Sequence, residues 1–459
     1  MAGEHISFGL LGQSMVGSLR ASIQQDSELR TCTRSKSSTN QDGHDSLQKA
    51  LECGNWGPTK PSNLFLKIYH DALCTLEKNP MAGVVSPPLM GSHGIAPLTI
   101  VAPLPDLCRH MANCIARAET EVFLGTNFWI HSDASTLVTN AFRELSKRAG
   151  ERGTKKRNTQ VVNYHRPIFG TFHAKFMVVD RRIALLQSSN VQDNDNLEMM
   201  VRLEGPIVDA FYDTALISWG KHFDTPFPML SSPAAGAPIP SLSLMDVSHE
   251  EECQGLTLPE HTTLDQHYDL DLRDEARRVN GTLKPRPGES KTRPVTRHLN
   301  TTTQPNTTGD ASDVDQDTPM TPYTISPPHE ACPMALVNRE PWGAPNHTSV
   351  YTPQNAAFLS AIQNAEHSIF IQTPNMNAEP LLEPLLEAVR RGVVVTCYLC
   401  LGYNDAGQLL PFQNGTNEMI SNRLYSSLKK PDERSRLRIY NYVAHDHRRQ
   451  SGYSREWEP

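Results

Sequence analysis

A chain of 459 residues with 34 prolines and 20% charged residues can hold two domains, yet parts of it are too polar to pack. Its formal net charge of −7 disfavours nonspecific nucleic-acid binding by the chain as a whole. No apolar run approaches the ~18 residues of a membrane span, no basic segment precedes the short apolar stretch near the N-terminus, and nine cysteines lie at scattered spacings. We therefore expect an intracellular protein with reduced thiols, cytoplasmic or peripheral to a membrane, neither secreted nor spanning.

In chain order, residues 1–60 are rich in Ser, Gln, Thr and Gly without a sustained period, which predicts a disordered tail. Apolar spacing predicts a helix over 64–77 and a better one over 105–118, with Asp106 in its first turn and Leu107, Met111, Cys114 and Ile115 on one face. Residues 121–126 read as a strand and 135–148 as an amphipathic helix. The segment 154–160 (TKKRNTQ) stands where a further strand belongs, as if a helix-to-strand piece were deleted there. Its basic neighbours Arg152, Lys155, Lys156 and Arg157 read as a solvated loop, with contact to an anionic lipid or polyanion as the lesser reading.

The chemistry is concentrated in 171–204. His173 and Lys175 lie two apart in an apolar run, so on an extended strand they share one face while Phe172, Ala174 and Phe176 take the other. Asp180, Arg181 and Arg182 read as a turn and 183–186 as the return strand of a hairpin, bringing Ser188 and Asn190 back toward the histidine. An imidazole can attack phosphorus and form a phosphohistidine, while Lys175, Ser188 and Asn190 bind the substrate's equatorial oxygens. Glu198 is the candidate acceptor that orients the ring. Asp180 joins this catalytic set in a supporting, structural role. The bland alternative is a half-buried strand with polar residues on its solvent face.

The residues His173, Lys175 and Asp180 (H-x-K-x4-D), followed by Ser188 and Asn190, resemble the phospholipase D superfamily, with Gln187 where that family has glycine. The resemblance covers roughly 60–228 and 333–443. It implies an α/β fold of two pseudo-repeated halves sharing a mixed central sheet, and it implies no metal and no cofactor. Residues 61–228 are then the first half, 229–332 a disordered Pro/Ser/Thr/Asp-rich insert, 333–447 the second half, and 448–459 a polar tail. Internal similarity agrees: 115–126 (IARAETEVFLGT) aligns without gaps with 362–373 (IQNAEHSIFIQT). Later come a helix over 381–391, a strand over 393–400 holding Cys397 and Cys400 on opposite faces, a helix over 417–429 and a strand over 437–443.

The second half departs from the family. Of 18 histidines only His173 has lysine two residues on, and His445 and His447 sit in a polar, basic stretch. One imidazole can attack phosphorus, but another group must protonate the leaving oxygen. A lone motif works when two chains form a homodimer and each lends its histidine; His445 or His447 is a weaker substitute. We expect a phosphodiesterase or phosphatidyltransferase acting on phospholipids, impaired by the missing second motif. The competing readings are a nuclease of the same fold, disfavoured by the acidic balance, and a catalytically inactive binding or vestigial protein.

Overall fold

The computed structural model describes residues 40–77, 79–153, 165–166, 170–193, 197–220, 268–290, 293–303, 322–327, 329–340, 351–402, 405–409 and 414–442. Helices α1 (Asn40–Glu52) and α2 (Asn63–Cys74) come first. The Ser62 side chain accepts from the Phe65 N–H, which fixes where α2 begins. A single turn, α3 (Pro87–Met90), leads into the long strand β1 (Gly91–Pro103). Then follow α4 (Leu104–Arg117), β2 (Val122–Gly125) and α5 (Asp133–Glu151), the last opened by a reciprocal Ser132–Ser135 capping box.

A two-rung ladder of β3 (His165–Arg166) and β4 (Gly170–Thr171) precedes β5 (Phe176–Val179), β6 (Ile183–Gln187) and β7 (Leu197–Glu204). These and β1 make an antiparallel sheet ordered β2-β5-β6-β7-β1-β8, where β8 is Tyr323–Ile325 and β9 (Cys332–Ala335) pairs with the other end of the same edge of β1. Strand alternation splits the core in two. Met177, Val179, Leu185, Met200, Leu98 and Ile100 pack under α4 and α5. Phe172, Phe176, Val178 and Ala184 pack against α2 and α6 (Ile207–Trp219). Gly94 is required where β1 runs against β7, since a Cβ there would lie 2.5 Å from the Glu204 carbonyl oxygen.

Two expectations of disorder are corrected. Residues 40–60 of the expected tail contain α1 and a buried Trp56, packed edge-on to Phe65 and Tyr69. Within the expected insert 229–332, helices α7 (Leu272–Thr282) and α8 (Arg293–Thr303) and strand β8 are folded onto the first half. Leu272, Val279 and Tyr323 enter the α4 core, and buried polar pairs do the rest. Residues 221–267 and 304–321 lie outside the described residues.

The second half begins with α9 (Pro353–Asn364), whose Ala357 joins the core beneath α2. There follow β10 (Ser368–Thr373), α10 (Glu379–Arg390), β11 (Val394–Cys400), the turn α11 (Asp405–Gln408), α12 (Asn417–Ser427), α13 (Pro431–Arg436) and β12 (Leu437–Tyr442). Cys397 is buried and Cys400 half-buried, and both are free thiols.

Two local features recur around α4–β2–α5 and α9–β10–α10. Ala118 and Ala365, matched in the sequence alignment, are both C-caps with ψ near 140° (142° and 131°). In each half the arginine that caps the next helix, Arg152 or Arg391, donates to that alanine's carbonyl (3.5 and 3.4 Å). The expected single shared sheet is not found among the described residues. β10-β11-β12 is a separate parallel sheet over its own core of Leu385, Val395, Leu399 and Leu424. In the first half β2 is an edge strand; the span where its parallel neighbour would fall, 154–164, lies outside the described residues.

Candidate active site

The hairpin that carries the site is closed by the three residues Asp180, Arg181 and Arg182, between Val179 and its partner Ile183. Asp180 and Arg181 both have left-handed backbones (φ 54° and 52°), and the Arg182 N–H donates to the Val179 carbonyl (3.0 Å). Such a turn matches the strand twist but strains side-chain-bearing residues. Here side chains hold it. The Asp180 carboxylate accepts from the N–H groups of Glu119 (2.8 Å), Thr120 (2.7 Å) and Glu121 (2.9 Å) and from the Thr120 hydroxyl. The Arg181 guanidinium pairs with Glu121 (3.0 Å) and lies over the Tyr212 ring.

Asp180 therefore ties the hairpin to the α4–β2 connection. It sits beyond the far end of β5, five residues and about 16 Å from Lys175 at the usual rise per residue, and its contacts there are those of the supporting, structural role. Asp180→Ala should strip an acceptor from three N–H groups and destabilise the fold by about 2–4 kcal/mol, while any turnover the unaltered chain shows should persist in the protein that remains folded. Thermal melts and assays below the melting range check this; a folded but inactive variant would return Asp180 to the site.

At the other end of the hairpin, residues 172–175 precede β5 and are not part of the strand expected there, yet Phe172, Ala174 and Phe176 pack in the α6 core. His173 and Lys175 point the opposite way, and Lys175 Nζ lies 3.1 Å from His173 Nδ1 and donates to the His173 carbonyl (2.7 Å). Lys175 is only 2% exposed. Burial, with the Lys175 and Arg339 charges beside it, pulls the His173 imidazole down to about 4. Burial pulls Lys175 down to about 8, against the raising effect of Glu198. At neutral pH the ring is thus an uncharged base facing a mostly charged ammonium.

The same end of the sheet collects the remaining predicted residues. Ser188, just past β6, donates its hydroxyl to a Glu198 carboxylate oxygen and receives the Met199 N–H at its Oγ (2.9 Å). Glu198 is thereby fixed on β7 close enough to support the Lys175 charge. Asn190 accepts the Phe128 N–H at Oδ1 (3.3 Å), leaving its Nδ2 donors uncommitted among the described residues. Gln187, where the family pattern has glycine, is buried at the end of β6 and reaches the Ser189 carbonyl with its amide (3.5 Å).

Sequence reasoning missed Arg339. It follows β9 on an extended segment whose Leu336 and Val337 pack on the same core as Phe172. Its guanidinium is half-buried, has no ion pair among the described residues, and burial holds it below its ordinary value. Nothing in the local pattern marks it, because its partner surface lies far away in sequence. Of the basic loop residues, Arg152 caps helix ends; Lys155, Lys156 and Arg157 lie outside the described residues, as do His445 and His447.

No protein-family model and no curated protein matches the chain. Among solved structures it is similar to the phosphatidylserine synthase of Haemophilus influenzae Rd KW20, at 9% identity over 77% of this chain and 75% of that one, with a TM-score of 0.36. A likeness of that size assigns neither family nor activity.

Proposed function

We propose that this chain is a phosphodiesterase or phosphatidyltransferase of the phospholipase D type, acting on phospholipids through a phosphohistidine at His173. The observation that carries the reading is the half-buried His173 ring held against the Lys175 ammonium, with Nζ 3.1 Å from Nδ1 and 3.4 Å from Nε2; burial and that charge hold the ring below its ordinary value. A neutral ring nitrogen can attack phosphorus; the bond to the leaving alcohol breaks and that oxygen takes a proton from a general acid. Water or a second alcohol, giving its proton to the conjugate base of that acid, then displaces the histidine. Lys175, Arg339 and the Asn190 amide hold the charge on the equatorial oxygens. Glu198, expected to orient the ring, takes the hydroxyl of Ser188, the residue expected to bind those oxygens, and supports the Lys175 charge.

The test is the pH dependence of kcat/KM on a soluble short-chain phosphatidyl substrate, which reports groups of the free enzyme. His173 has to be neutral, so activity should fall only below its depressed value of about 4, and Lys175 has to be charged, so it should fall again above about 8. Because the Arg339 charge helps to depress His173, Arg339→Ala should move the acid limb upward as well as lower kcat/KM. An acid limb near 6.5, the ordinary histidine value, would mean that neither burial nor either cation acts on the ring. Turnover of oligonucleotides but not of the phosphatidyl substrate would transfer the chemistry to a nuclease.

A further inference from the structure

The loop joining β2 to α5 holds three consecutive bulky apolar residues in water: Phe128, Trp129 and Ile130 are 47%, 45% and 52% exposed. Single exposed apolar residues are ordinary, but three together at the rim of a site form a patch. This loop is not slack. The Val191 N–H donates to the Phe128 carbonyl (3.1 Å), the Ile130 N–H donates to the Val191 carbonyl (3.0 Å), and Trp129 bridges Val191 in parallel register. The Thr126 and Ser132 hydroxyls donate to the Phe128 and Ile130 carbonyls (3.0 and 3.1 Å). Val191 is fully buried. The backbone is thus pinned to the core, and the side chains cannot turn inward to escape water.

The position matters as much as the exposure. The Phe128 N–H is the group that Asn190 binds, so the patch is continuous with the candidate active site. We propose that Phe128, Trp129 and Ile130 insert into the boundary between headgroups and hydrocarbon of a lipid bilayer and seat the His173 site at the depth of a lipid phosphodiester. The proposal rests on the phospholipid reading given above. Aromatic side chains favour that boundary, and an aliphatic neighbour adds burial in hydrocarbon. Between Thr126 and Phe142 there is no lysine or arginine. Asp133 begins α5, and the Asp193 carboxylate accepts its N–H and that of Ala134. Carboxylates beside the patch argue against base stacking on a polyanionic nucleic acid, where basic residues would be interleaved. They also predict that binding uses apolar burial, with little preference for anionic lipid and little loss at high salt.

The test is sedimentation of the full chain with neutral phosphatidylcholine vesicles, with and without 0.5 M salt, where on the order of a tenfold change is read against the apolar area removed. Binding should survive the salt, and the triple variant Phe128→Ser/Trp129→Ser/Ile130→Ser should lose at least about tenfold in partitioning. Vesicles carrying bromine-labelled acyl chains give a second reading that does not depend on the triple variant folding. They should quench tryptophan fluorescence, and the quench should disappear in Trp129→Phe while binding persists. The other described tryptophans, Trp56 and Trp219, are buried. Binding by the triple variant equal to that of the unaltered chain, no binding to neutral vesicles, or Trp129 quenching only by single-stranded DNA would each overturn the proposal. The readout is binding, not turnover. If vesicles bind through Trp129 but no phosphatidyl substrate turns over, the docking surface stands and the proposed reaction falls.

Discussion

Replacing His173 with alanine is expected to lower turnover of a phosphatidyl substrate by at least about 10³-fold, since on the proposed mechanism it removes the nucleophile and not an auxiliary group. Protein denatured quickly during turnover of a phosphorus-labelled substrate should carry acid-labile phosphate, and His173→Ala should carry none. The trapping needs only the first displacement, so it works whatever group supplies the proton to the leaving oxygen. The folded state should not suffer, because His173 is half-buried and its ring is kept neutral against two cations. Its depressed value even opposes stability below pH 6.5, where the unfolded chain takes up a proton that the native ring refuses until about 4. The variant should therefore lose less stability than the unaltered chain as the pH falls through that window. Label retained in the variant would assign the covalent step elsewhere.

The pairing of His173 with Lys175 was legible because strand alternation is a local rule, and the spacing of two leaves one outcome for which face they share. The hairpin was legible for the same reason, as were α2, α4, α5, α10 and α12, each with an apolar stripe at helical spacing. The central strand β1 was not: GSHGIAPLTIVAP interrupts its apolar residues with Gly and Pro, and its pairing with β7 is known only once both are in place. The partners of Asp180, and Arg339 altogether, were out of reach for a related reason. The partners that define them, the Glu119–Glu121 N–H groups and the His173 ring, are long-range, and no local spacing encodes them. The separateness of the second sheet was also beyond reach, since an alignment of two helix–strand pieces says nothing about which edge each strand will use.

The helices α7 and α8 were misread because hydropathy undercounts what holds them. Few apolar residues reach the core, and a buried polar network carries the interface. His110 on α4 meets Glu275 on α7 at 2.9 Å with both side chains fully buried, and the Tyr323 hydroxyl donates to the same carboxylate oxygen (3.1 Å). Asn113 donates to Asp269 (2.8 Å), which Arg278 grips through Nε (2.8 Å), and His298 on α8 reaches Asp106 (3.0 Å). Burial disfavours the charged imidazole of His110, but Cys114 and Glu275 outweigh it and push it up to about 9. Burial raises Glu275, and the His110 pairing outweighs that and brings it below its ordinary value.

Glu275→Ala should therefore leave a buried imidazolium without its carboxylate and cost about 3–5 kcal/mol, while Glu275→Gln, which keeps an acceptor, should cost less. The pairing also sets a pH window. Because the Glu275 carboxylate is depressed, its contribution is present above the ordinary carboxylate range and lost as the pH falls through its lower native value; because His110 is raised, its contribution is present below 6.5 and lost as the pH rises through about 9. Urea melts across pH should show a maximum between the ordinary carboxylate range and 6.5, declining toward about 9 on the alkaline side, and this maximum should flatten in Glu275→Ala. Protease should cut the unaltered chain in neither 268–290 nor 293–303 and should cut the alanine variant there first. Early cleavage of those residues in the unaltered chain would mean that the network does not hold α7 and α8 to α4 in solution, and the reading of 229–332 as a flexible insert would then extend over them as well.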